Sequence, residues 1–147
     1  QSGYGVTLYH LFKLGETAGY FGSVVRSGAH QRSIRMVADV EIDASAIDSH
    51  VLAVELREHP ELATRLRIID ALGPSTIQPV VAAGRLPEGL RAGVRDALLE
   101  MGTDPEAREI LDYALVEGFA PVNDSDYDDI RMMLHAVENA GFTRLQS

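Results

Sequence analysis

The stretch Ser27-Gly28-Ala29-His30 closes a short apolar run and opens a helical pattern. That placement gathers unpaired backbone N–H groups, a hydroxyl and an imidazole at one helix N-terminus, where the macrodipole favours an anion. Ser27 and His30 could thus cradle an oxyanion; the competing reading leaves Ser27 as an N-cap and His30 as a solvated first-turn residue. The chain start, Gln1-Ser2-Gly3-Tyr4, also precedes a helical pattern. Two such termini converging on one point make a better anion site than either alone, and glycine lets a ligand approach the backbone closely. Asp48 ends the run DASAID. It could accept a hydrogen bond from a protonated oxyanion, orient His30, or simply cap the next helix with the help of Ser49.

A serine, a histidine and an aspartate in one region also invite a hydrolase reading with Ser2, His30 and Asp48 acting on a phosphate or acyl ester. No G-x-S-x-G elbow accompanies them, and Ser2 sits in a capping context, so no catalytic residue is assigned. His10, His50, His59 and His135 lack zinc-ligand spacing, and cysteine is absent. The acidic run 123–129 has Asp129 where a calcium loop needs glycine and His135 where it needs glutamate. It reads as a helix start with an acidic first turn, and no metal or cofactor is expected.

The formal charge of -9 argues against a nucleic-acid partner, whose affinity would rest on a basic footprint. Residues 1–40 nevertheless balance to +2, with Lys13, Arg26, Arg32 and Arg35 against Glu16 and Asp39, so residues 41–147 carry -11. An anion site belongs in the first third. No window approaches the ~20 apolar residues that cross a bilayer. Gln1 as first residue is read as a start inside a longer or processed chain.

These groups must be held by surrounding elements. Apolar spacing predicts a helix over 4–14, closed by Gly15, with Leu8, Leu11 and Phe12 on one face. A strand is expected over 23–26, then a helix over 30–40 with Ser27 as N-cap and Ile34, Val37 and Ala38 as its stripe. Further strands are expected over 43–47, 66–70 and 80–83, and a helix over 49–57 that stops near Pro60. Helices over 87–101, 104–117 and 126–140 complete the pattern, the first two with proline in their first turn.

QSGY, FGSVVRSGAHQRSIRMVADVEIDASAIDS, GPSTIQPVV, LPEGLRAGVRDALLEM and GFAPVNDSDYDDIR, in that order, resemble the phosphonate-type solute-binding proteins of ABC importers. The resemblance implies an α/β fold of the type II periplasmic-binding kind. Residues 1–72 would be most of a ligand-binding lobe, 73–79 a hinge containing Gln78, and 80–147 the returning strand and helices of the other lobe, whose N-terminal sheet is not in this sequence. It further implies extracytoplasmic, non-catalytic capture of a phosphonate, phosphite or phosphate-like oxyanion for an ABC permease, with a membrane anchor through an N-terminus beyond this sequence. The resemblance implies Ser2, His30 and Gln1 as ligand contacts, and with the residues read above the expected ligand-binding set is Gln1, Ser2, Gly3, Tyr4, Ser27, His30, Asp48 and Ser49. His50 and Gln78 stand near positions where aminoalkylphosphonate binders carry acids, which disfavours an amine-bearing ligand. The same fold also serves as the sensor domain of signalling proteins. Without its sheet partners the chain is expected to expose apolar surface and self-associate.

Overall fold

The computed structural model describes residues 2–17 and 19–145, without the side chain of Ser2. Six α-helices form among them: α1 (Ser2–Leu14), α2 (His30–Ala38), α3 (Ser49–Glu58), α4 (Glu88–Glu100), α5 (Pro105–Tyr113) and α6 (Asp128–Asn139). Short 3-10 turns occupy Pro60–Thr64, Met101–Thr103 and Asp124–Tyr127. The described chain contains no strand, which overturns the expected α/β, type II periplasmic-binding fold.

The reason lies in what a strand needs. A β-run keeps its shape through ladder hydrogen bonds to neighbours, whereas a helix satisfies its backbone internally. The runs expected over 23–26, 43–47, 66–70 and 80–83 carry no helical or strand assignment. Their adjacent apolar residues stay open: Ile68 is 70% and Ile69 72% exposed, and Val81 is 81% exposed. Neighbouring residues in an extended run face opposite ways, so both faces of 66–70 are uncovered at Ile68 and Ile69. The exceptions are Ile47 and Leu66, which pack with the buried Ile34, Ala38 and Leu62.

The chain divides into two compact units, one from the described parts of Gln1–Ser75 and Asp128–Ser147, the other Thr76–Tyr127. Within the first unit, α1 lays Leu8 and Leu11 against Val137 and Phe142 from α6 and its following turn. The helical spacing of Leu8, Leu11 and Phe12 makes that face continuous. A second core joins α2, α3 and the Pro60–Thr64 turn, with Ile34 and Leu62 at its centre and Val51, Leu52 and Leu56 around them. Arg65 fastens the far end of α2 by donating from Nη2 to the Ala38 carbonyl at 2.6 Å and to Asp39 Oδ1 at 2.8 Å. In the second unit, Asp104 caps α5 by accepting from the Ala107 N–H at 2.9 Å, while Leu111 is buried.

Helix ends explain most departures from the expected ranges. After α1, Gly15 N–H donates to Phe12 O and Glu16 N–H to Leu11 O, a Schellman closure with Gly15 at φ +78. Gly141 closes α6 in the same way at φ +68. Val40 and Leu115 fill that position after α2 and α5, at φ 61 and 56. Their bonds, Glu41 N–H to Met36 O and Val116 N–H to Leu111 O, show the same motif built on less suitable residues. This closure stops α5 at Tyr113 instead of 117, and Arg108 then donates to the Val116 and Glu117 carbonyls.

Candidate functional site

The first turns of α1 and α2 meet. A Cβ placed on Gly3 would stand 2.7 Å from the Ala46 carbonyl oxygen and 3.4 Å from His30 Cε1. The first distance is below any normal contact, so position 3 has room only for glycine while these elements keep this approach. The start of α1, the His30 ring and the segment carrying Ala46 therefore form one packed corner. Both helices bring the positive ends of their dipoles to it, and neither has an acidic residue in its first turn. Arg26 and Arg32, both exposed, add positive charge in the same stretch of sequence.

The start of α2 differs from the sequence expectation. Its N-cap is Ala29, in the extended conformation of φ -151 and ψ 151, with no side-chain cap hydrogen bond. Ser27 lies two residues further back. Its hydroxyl contacts the Ala29 carbonyl oxygen at 3.3 Å and Ser33 Oγ at 2.6 Å. Gly28 between them takes φ +89, a left-handed conformation open to glycine at little cost. The tight SGAH turn is thus stitched to its own helix, and the N-cap residue Ala29 itself supplies no side-chain cap to α2.

Asp48 follows the capping reading. Its Oδ1 accepts from His50 N–H at 3.0 Å and Val51 N–H at 3.2 Å, at the start of α3. Ser49 is the first residue of α3 and is exposed, as is the neighbouring His50. In α1, Tyr4 Oη accepts from the Leu145 N–H at 2.9 Å and so ties that helix to the C-terminal segment. Thr7 Oγ1 donates back to the Gly3 carbonyl at 2.7 Å. Gln1 and the side chain of Ser2 lie outside the described residues. Gln78 is exposed and belongs to the second compact unit.

Gly3, His30, Ser27 and the Ala46 to Asp48 segment are thus held in one unit, with Gly3 directly against His30 and Ala46. Two participants were missed from sequence, Ala46 and Ser33. Ser33 had a usable signal: it is a small polar residue one turn before Val37 of the apolar stripe, and it is buried with 6% exposure. Chemically the corner offers helix-end N–H donors and an imidazole with no carboxylate cap at α2, an arrangement suited to a compact anion. Among the described residues there is no group of three or more histidines, aspartates and glutamates that could hold a metal ion. No described helix is long and apolar enough to cross a membrane.

The family described as the periplasmic substrate-binding protein of phosphonate ABC transporters matches residues 1–127 of the 147-residue chain. No curated protein matches the chain.

Proposed function

The chain belongs to the phosphonate-binding periplasmic substrate-binding proteins of ABC transporters, and from that premise we propose that its first compact unit captures a tetrahedral phosphorus oxyanion at the start of α2. The membership places the chain in an extracytoplasmic family that works with ABC permease components. The observation that carries the residue assignment is the close approach of Gly3 to His30 and Ala46, which brings the starts of α1 and α2 together. His30 and the first-turn amides of α1 and α2 are the donors in this reading. Gly3 and Ser27 shape the corner, and Tyr4, Asp48 and Ser49 are not assigned as ligand donors.

Binding without turnover is part of the proposal. The Ser27 hydroxyl is engaged by Ala29 and Ser33, and the Asp48 carboxylate caps α3. The hydrolase reading needs Asp48 to orient His30, and a carboxylate engaged with the α3 amides does not support that relay. Residues 73–79 keep the role of hinge in the proposal, because the division between the two compact units at Ser75 and Thr76 falls inside that segment. Closure would follow from population shift, with the ligand favouring the form in which it makes more contacts. The open apolar runs at Ile68, Ile69 and Val81 further support self-association of the chain.

Thermal unfolding against methylphosphonate, phosphite, phosphate and sulfate tests the proposal. A specific ligand at a hundred times its Kd adds about 2.7 kcal/mol of stability, an easily measured rise in Tm. The expected result is a rise with one phosphorus oxyanion that disappears in His30→Ala. A rise that survives His30→Ala, or equal rises with all four anions, would remove the site assignment.

A further inference from the structure

We propose that Ser33 is a positioning residue for oxyanion capture, holding the SGAH turn in its receptive shape through a closed ring of hydrogen bonds. The idea rests on the oxyanion-binding role proposed for this turn. Ala29 has no side chain able to cap α2, yet its backbone stands in the extended conformation that an N-cap requires. Something else must hold it.

The ring supplies that hold. Ser33 N–H donates to the Ala29 carbonyl at 3.0 Å, the first hydrogen bond of α2. The same carbonyl accepts from the Ser27 hydroxyl at 3.3 Å, which uses its second lone pair. Either hydroxyl can donate in the 2.6 Å contact between Ser27 and Ser33, and in the proposed ring the single Ser27 proton goes to Ala29 while Ser33 donates to Ser27. Ser33 therefore bonds the turn twice, by its amide and by its hydroxyl, and it is itself buried at 6% exposure while the Ser27 to Ala29 side of the ring meets solvent. Two consequences follow. The carbonyl of Ala29 is engaged by both the amide of Ser33 and the hydroxyl of Ser27, which fixes the backbone of the turn at that point. The proton of Ser27 points into the ring, so Ser27 frames the site while His30 and the amides supply the donors.

The test uses the full chain as Ser33→Ala, Ser27→Ala and the double variant, with methylphosphonate titration, thermal unfolding and amide hydrogen exchange. Each single variant is expected to raise Kd about fivefold, the net worth of one hydrogen bond. The double variant should be no weaker than either single, because one ring is broken in all three. Exchange at residues 28–31 should accelerate in each variant while Tm moves by no more than about 2 °C. A purely structural serine would instead lower Tm and accelerate exchange throughout α2. That result, an unchanged Kd, or losses that multiply in the double variant would overturn the proposal. If the parent chain binds no methylphosphonate, the oxyanion role fails by itself. Exchange at 28–31 then decides the ring separately, and unaltered rates would overturn it.

Discussion

The starts of α2 and α3 lie in one compact unit and face the same physical problem, four N–H groups without intrahelical partners. They solve it differently. At α3 the Asp48 carboxylate accepts from two of those groups, so an internal anion already occupies the helix end. At α2 the N-cap is an alanine, the nearest hydroxyls are turned into a ring beneath it, and His30 is packed against Gly3. An aspartate makes a helix end stable and closed. An alanine after a glycine brings no carboxylate of its own to the helix end, and in the proposed site that end receives the ligand.

His30→Ala offers the strongest way to break this contrast. A hydrogen bond to a charged ligand is worth about 1.5–3 kcal/mol, so Kd for methylphosphonate should rise roughly 10- to 150-fold by calorimetry. The matching change at the closed start, His50→Ala, should leave Kd within about twofold. Equal losses in both would dissolve the distinction between the two helix ends.

Gly3→Ala comes next. Alanine normally favours a helix over glycine, but here the new methyl meets the Ala46 carbonyl at 2.7 Å. The overpacking should win and cost about 1–2 kcal/mol in urea unfolding, with weaker binding as the corner opens. A stabilised variant would show that α1 can draw back from His30 freely.

Exchanging the two solutions sharpens the comparison further. Asp48→Ala should cost about 1 kcal/mol of stability and leave methylphosphonate affinity nearly unchanged. Ala29→Asp should do the reverse at α2, adding about 1 kcal/mol of stability while lowering affinity, because the carboxylate takes the place and charge of the ligand. Thermal unfolding with and without methylphosphonate reads both effects.

The smallest effect is at the other end of α2. Val40 is β-branched, 84% exposed and held at φ 61. Val40→Gly removes a left-handed penalty of about 1–2 kcal/mol but adds glycine's conformational entropy, so a gain of about 0.5 kcal/mol in unfolding free energy is expected. Affinity should not move, since the start of α2 is untouched.

Helices were legible because their signals are local. The apolar spacing of Leu8, Leu11 and Phe12 and the glycines at 15 and 141 marked α1 and the end of α6. The cutoffs at Val40 and Leu115 were not legible, because neither residue advertises a left-handed conformation. Ser27 was visible as a polar residue before a helix, but its real partner, Ser33, became apparent only once the turn was folded back. The strands expected from ValVal and IleIle runs failed for the complementary reason, since alternation describes a strand's faces and says nothing about the neighbours that must complete its ladder.

By itself, then, the sequence determined where helices could start, which residues could meet an anion, and the family to which residues 1–127 belong. These follow from short-range periodicity, residue chemistry and the order of motifs. Only the tertiary structure decided that Gly3 touches His30, that Asp48 is committed to α3, and that Ser33 holds the turn. It also decided that the apolar runs at Ile68 and Val81 remain without a sheet. Each of those depends on contacts between residues distant in sequence or on the direction of a single hydroxyl or carboxylate, which no local pattern encodes.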